Sequence, residues 1–248
     1  SPMTGIPIDS NVGGYFGPYL KFAGFDALEL AGKAERETIV LIDGNEGIVR
    51  FLGAPEGLDF DTHLLADELT HALSASEDPA DLQAVSVVSA GRGADHSPMG
   101  VLNFSLYDKR RAGIRVKQAG RGGIGSVLRD KKIRAVVARF RGVEQDSNAA
   151  ADPAAVQRLG LKLHREIVQN DDKQCLMRKR GTAHLMEVMN DYDLLPTKNH
   201  KYGQDSQGSQ LASGVWETYL TQGRPDGCWF GCTLGCAHAV DDFELQTG

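Results

Sequence analysis

Short apolar and β-branched runs, each closed by Gly, Pro, Asp or Asn, dominate the chain as far as Gln145. Residues 27–30, 38–42, 48–52, 84–89, 114–117 and 134–140 fit this pattern and are predicted as strands, because such runs suit a sheet buried on one or both faces. Residues 60–73 break the series, with Leu64, Leu65, Leu69 and Leu73 recurring at helical spacing, so a helix is expected there.

The pattern changes across residues 144–148. Asp152 and Pro153 then supply an N-cap and a first-turn proline for a helix towards Gln169 with Val156, Leu159, Leu163 and Ile167 along one stripe. A further helix is expected over 182–191, then a polar loop holding Gly203, Gly208 and Gly214, then a short helix including residues 216–220. These shifts predict a sheet-rich domain over 1–147 and a helical one over 148–248, with no internal repeat.

The chain's 248 residues, 41% of them hydrophobic, suffice for one large or two modest domains without covalent staples. A net charge of −6 leaves no basic face for a phosphate backbone, which excludes nucleic acid as an expected partner. No apolar run reaches membrane-spanning length and the first residues lack a signal peptide's charged start and apolar middle, so a soluble, cytoplasmic protein is expected. There is no initiating Met, and both ends read as cut points, so truncation at both termini is expected too.

Of four cysteines, Cys228, Cys232 and Cys236 stand at C-x3-C-x3-C spacing among small residues, while Cys175 lies apart. Several soft thiolates on one short loop suit iron–sulfur ligation. Zinc is the rival, with His238 completing a Cys3His set, and plain packing beside Trp229 and Phe230 is the ordinary alternative. A four-iron cluster needs a fourth ligand, from Cys175 or from further along a longer chain.

Two glycine turns could present backbone groups to a phosphate-bearing cofactor: residues 11–18, Asn-Val-Gly-Gly-Tyr-Phe-Gly-Pro, and residues 120–125, Gly-Arg-Gly-Gly-Ile-Gly. The second satisfies G-x-G-x-x-G after a predicted strand, yet only about eight residues follow before the next strand, too few for a standard dinucleotide unit. Glycine turns in a curved sheet also occur without any ligand.

Residues 11–26, 113–138, 195–199 (Leu-Pro-Thr-Lys-Asn) and 228–248 resemble, in order, landmarks of the aldehyde ferredoxin oxidoreductases, and the resemblance runs over essentially the whole chain. It implies an α+β fold: a sheet-rich base of two β-sheets with few helices, which seats a tungsten bis-pterin cofactor, followed by the start of a mainly helical domain. It further implies that Asn11 and Ala119 offer backbone carbonyls to a magnesium bridging the pterin phosphates, with Gly13, Gly14, Gly120, Arg121 and Gly122 lining the pterin seat. Cys228, Cys232 and Cys236 become three ligands of a 4Fe–4S cluster.

The implied reaction is oxidation of an aldehyde to a carboxylic acid, with electrons passed to ferredoxin or an iron–sulfur electron-transfer subunit, and the implied assembly includes a homodimer. The family's first cysteine spacing is usually x2 and here it is x3, which leaves the subgroup open, including the reductive dearomatising subunits that act on benzoyl-coenzyme A. An iron–sulfur carrier or a cofactor-free scaffold is the alternative of another class. No catalytic acid or base is assigned; His184, His238 and the pair Asp241 and Asp242 read as packed or solvated residues.

Overall fold

A computed structural model describes residues 2, 4–58, 61–141, 150–219, 227–229 and 231–237. The chain divides into two compact units, Ser1–Ala149 and Ala150–Gly248.

The first unit opens with α1 (Phe16–Phe22), then the hairpin β1 (Thr38–Asp43) and β2 (Ile48–Gly53), α2 (Thr62–Leu73) and α3 (Pro79–Leu82). It continues through β3 (Val85–Ser89), a 3₁₀ turn at Arg92–Asp95, β4 (Leu102–Asp108), β5 (Gly113–Ala119), α4 (Ile124–Asp130) and β6 (Ile133–Arg139). The six strands form one sheet in the order β2-β1-β6-β3-β4-β5, with β1 and β6 parallel and every other neighbouring pair antiparallel.

Among the described residues the strands form one sheet, where two were expected, and this follows from the long-range pairing. β6 enters between β1 and β3, matching Val40 to Val136 on one side and Val88 to Val136 on the other, and so welds the hairpins β1–β2 and β4–β5 into a single surface. The α+β class, with a sheet-rich region followed by a helical one, stands.

Alternation along the central strands creates two cores. Val40, Ile42, Val136 and Ala138 face a layer with Phe16, Tyr19 and Leu128 from α1 and α4, whereas Ile39, Leu41, Val85, Val87 and Val137 face Leu65, Ala66 and Leu69 of α2. Strands β1, β3 and β6 are buried on both faces, which explains their nearly continuous apolar sequences. Asp61 starts α2 by accepting the backbone N–H groups of His63 and Leu64.

Two local expectations change. Residues 27–30 have a strand's composition but pair with nothing in the sheet, and the sheet also includes β4, where Leu102, Phe104 and Leu106 alternate with Asn103, Ser105 and Tyr107.

The second unit contains α5 (Pro153–Gln174), α6 (Met177–Arg180), a 3₁₀ turn at Gly181–His184, α7 (Leu185–Asp191), another at Gly208–Leu211 and α8 (Ser213–Tyr219). Asp152 caps α5 as its sequence predicts, accepting from Ala155 N–H, and the helix continues five residues past the expected Gln169. The carboxylate of Asp171 accepts from the backbone N–H groups of Met177 and Arg178, each at 2.9 Å, and so turns the chain from α5 into α6.

Candidate cofactor seat and cysteine turn

The two glycine turns meet on the first unit. Strand β5 ends at Ala119, which pairs with Leu102 of β4 and is 1% exposed. Beyond it the chain passes through Gly120 and Arg121, both exposed, to half-buried Gly122 and buried Gly123, the N-cap of α4.

In the other turn Asn11 is exposed, Gly13 half-buried and Gly14 buried with φ +93°. A Cβ on Gly14 would lie 3.8 Å from Phe104 Cβ and 4.0 Å from the carbonyl oxygens of Phe104 and Ser105, so this turn rests on β4 beside β5. Phe16, opening α1, meets the Phe104 ring edge-on at 5.8 Å. The Arg121 backbone N–H donates to Ser10 Oγ at 3.1 Å, joining the turns across 111 residues of sequence.

The glycines of the second turn do different jobs. Gly123 has φ +72°, and a Cβ there would fall 1.9 Å from the Pro98 carbonyl oxygen, so only glycine fits. A Cβ on Gly122 would fall 2.3 Å from Ile8 Cγ2, and one on Gly125 would fall 2.2 Å from the Val101 carbonyl. Gly120 alone in this turn has nothing within 4 Å of the place a Cβ would take.

Most of the G-x-G-x-x-G glycines therefore let the chain pack on itself, and Gly120 leaves an open approach. The dinucleotide interpretation fails on topology, since β5 and β6 lie apart in the sheet and run antiparallel to each other. A nucleotide-binding βαβ unit needs parallel strands.

Behind α4 lies a polar cleft of about 570 Å3 bordered by Asp95, His96, Ser97 and Arg129. The Arg129 side chain is 5% exposed and bonds both Glu37 and Asp95. Burial works against its charge, but the two carboxylates outweigh it and raise the guanidinium above its ordinary value. This clasp ties α4 to the segment before β1 and to the Arg92–Asp95 turn, steadying the helix that follows Gly123.

In the second unit Cys228 is exposed, Cys232 and Cys236 are half-buried, and no cysteine is in a disulfide. Cys232 N–H donates to the Trp229 carbonyl at 3.3 Å, and Gly231 and Gly235 have positive φ, so the segment turns tightly. Among the described residues no three His, Cys, Asp or Glu side chains are gathered as a metal site. Cys175 sits at the C-cap of α5. His238, Asp241 and Asp242 lie outside the described residues.

His184 stands 3.5 Å from Glu187, which also accepts from the buried Ser213 at 3.3 Å, consistent with a packed role. The 195–199 landmark lies in a clamped reversal, with Leu195 N–H donating to Gly203 at 2.7 Å and three successive residues, Lys198, Asn199 and His200, at positive φ. Ser10 and Ile8 were overlooked in the sequence, since no local pattern predicts their contacts with the second turn.

Comparison with known proteins gives consistent results. Residues 1–140 match the family model "Aldehyde ferredoxin oxidoreductase, N-terminal domain", and residues 158–248 match "Aldehyde ferredoxin oxidoreductase, domains 2 & 3". The chain is 29% identical over 243 residues to the tungsten-containing aldehyde ferredoxin oxidoreductase of Pyrococcus horikoshii and 26% identical to that of Pyrococcus furiosus, covering 95% of this chain and 35% of each relative. It thus spans about a third of the length of these relatives.

Among solved structures it is similar to the active-site complex of benzoyl coenzyme A reductase with 1,5 dienoyl-CoA. The TM-score is 0.59 at 18% identity, over 96% of this chain and 34% of that one, a likeness of fold. With family models matching both of its units, the chain belongs to the aldehyde ferredoxin oxidoreductase family.

Proposed function

We propose that this chain forms the cofactor-seating part of a tungsten-pterin oxidoreductase that oxidises aldehydes to carboxylic acids and passes the electrons through a 4Fe–4S cluster to ferredoxin. The observation that carries this is the meeting of the two glycine turns, with Gly120 open on its outer side and Asn11 exposed. A large phosphate-bearing group needs such an open backbone, with packed chain behind it.

The residues present fit that group. Ala119 is held by the β4–β5 ladder, so its carbonyl direction is set by the sheet, and the Asn11 turn is anchored by Gly14 on β4. Under the proposal Asn11 and Ala119 offer carbonyl oxygens to a magnesium ion, while Gly13, Gly14, Gly120, Arg121 and Gly122 line the pterin phosphates. Magnesium takes oxygen ligands in near-octahedral geometry, which backbone carbonyls on two fixed turns can provide.

When bound, the tungsten-pterin centre supplies the redox chemistry, and the protein supplies binding and orientation. In the net reaction an aldehyde and water give a carboxylic acid, releasing two protons and two electrons. Cys228, Cys232 and Cys236 are proposed as three cluster ligands, with metal binding coupled to the local fold of their turn. Among the described residues no helix is long and apolar enough to cross a membrane.

The fold likeness to a benzoyl coenzyme A reductase favours a second reading, a reductive dearomatising subunit with an acyl-coenzyme A substrate. Elemental and pterin analysis of the protein purified without oxygen, with electron paramagnetic resonance of the reduced sample, tests the shared part of both readings. Tungsten, pterin and a cubane signal are expected, and zinc alone or no metal would overturn the proposal. Turnover of aldehydes against benzoyl-coenzyme A then separates the two.

A further inference from the structure

The segment that leads into the first glycine turn is laid along the second one. Pro2 lies near Gly123, with its Cγ 3.5 Å from where a Cβ would be; the Ile8 side chain fills the space over Gly122; and Ser10 Oγ takes the N–H of Arg121. The contacts fall on Gly123, Gly122 and Arg121 in turn and come from Pro2, Ile8 and Ser10, so the leading segment crosses the turn in the opposite direction. The hydroxyl contact is the polar one of the three, and it stands one residue from Asn11 and two from Ala119.

We propose that Ser10 is a positioning residue for the cofactor seat. Its hydroxyl fixes the distance between the Asn11 and Ala119 segments, and Ile8 holds the turn down at Gly122. This inference rests on the proposed seat for its consequence but on hydrogen bonding alone for its geometry. Two backbone carbonyls from distant parts of a chain can serve one magnesium ion only if their separation is held, because the ion tolerates little distortion.

The hydrogen bond has a second effect. It occupies the Arg121 N–H, which donates to Ser10 Oγ. The Arg121 backbone then helps to shape the turn, and contact with a phosphate falls to the Arg121 side chain and to the neighbouring glycines.

The test compares Ser10→Ala and Ser10→Thr with the parent, by amide hydrogen exchange in cofactor-free protein and by tungsten and pterin content after anaerobic purification. Ser10→Ala should speed exchange at Arg121 and the flanking glycines about fivefold, the scale of one exposed hydrogen bond. Exchange in β1 and β6 should stay unchanged, which reports an intact fold. Cofactor affinity should fall about tenfold, as for groups that orient a metal's ligands, and Ser10→Thr, which keeps the hydroxyl, should restore both.

Unchanged exchange at Arg121 in Ser10→Ala would overturn the inference whatever the cofactor content. Faster exchange with full cofactor content would overturn the positioning role. A parent protein with no tungsten or pterin would instead overturn the seat itself, while the exchange result would still decide whether Ser10 holds the turn.

Discussion

The two units treat their apolar side chains in opposite ways. In the first, Val40, Ile42, Val137 and Ala138 are all 0% exposed, and the central strands β1, β3 and β6 are covered on both faces from within the unit, while Phe51 on edge strand β2 stays 72% exposed. In the second, the apolar side chains buried among the described residues are Leu195 and Ala212, while Val156, Leu159, Leu163 and Ile167 of α5 stay 42–59% exposed. What order the helical unit has comes from polar work: the Asp171 carboxylate joining α5 to α6, and the Asn190 side chain accepting from Asp205 N–H at 2.8 Å and donating to the Asp205 carbonyl at 3.1 Å.

The difference teaches what each kind of element can do alone. A strand in the middle of a sheet gains neighbours on both sides and covers on both faces, so one chain segment completes its burial with a few others. A 22-residue helix with one apolar stripe needs a facing surface to gain anything from that stripe. The proposed cofactor seat stands on the unit whose central strands are buried on both faces, which suits the precise placement of backbone groups.

The strongest challenge to this contrast is a truncation in the first core. Ile42→Ala should cost about 2–5 kcal/mol in urea unfolding, because the side chain is fully buried.

Glycine substitutions in the second turn sharpen it next. Gly123→Ala should cost roughly 2–4 kcal/mol from left-handed strain and overpacking against Pro98. Gly120→Ala should leave the melting transition near that of the parent and reduce tungsten and pterin content instead. Equal destabilisation by the two would remove the distinction between a packing glycine and an open one.

Acid should act on the first unit through Asp43. Burial opposes the charge of this carboxylate, but the Arg139 guanidinium and the backbone N–H groups of Asn45 and Glu46 outweigh it and hold its pKa below the ordinary aspartate value. Arg139, bonded to Asp43, is raised in turn. With the folded value depressed, the pair's contribution is complete above the unfolded value of about 4 and is lost as pH falls through the folded one. Unfolding free energy followed against pH should fall off below about pH 4, and Asp43→Asn should flatten that part of the profile.

The smallest effect is expected on α5. Leu159→Ala should change stability of this 248-residue chain by no more than about 0.5 kcal/mol, since the side chain is 54% exposed. A loss as large as that of Ile42→Ala would mean that α5 is buried in solution and would break the comparison.

Much of the fold was legible because its signals are local. Thr38–Asp43, Ile48–Gly53, Val85–Ser89 and Ile133–Arg139 each show the composition of a strand between turn formers. Asp152 and Pro153 mark the start of α5 within four residues of sequence. The run at 27–30 shows where such reading ends: it has strand-like residues but no partner in the sheet, and pairing is not a local property.

The residues of the amino-acid sequence by themselves determined most strands of the sheet, the starts of α2 and α5, the change from sheet to helix near residue 150, and the presence of two glycine turns and three clustered thiols. Periodicity, capping and turn chemistry act over a few residues, and each of these features depends on nothing longer. Only the tertiary structure decided that the two hairpins share one sheet, that Gly122 and Gly123 are glycine because Ile8 and Pro98 lie against them, that Gly120 faces open space, and that Ser10 reaches Arg121. Those outcomes depend on which distant segments come within a few ångströms of one another, and close packing, not local propensity, selects them.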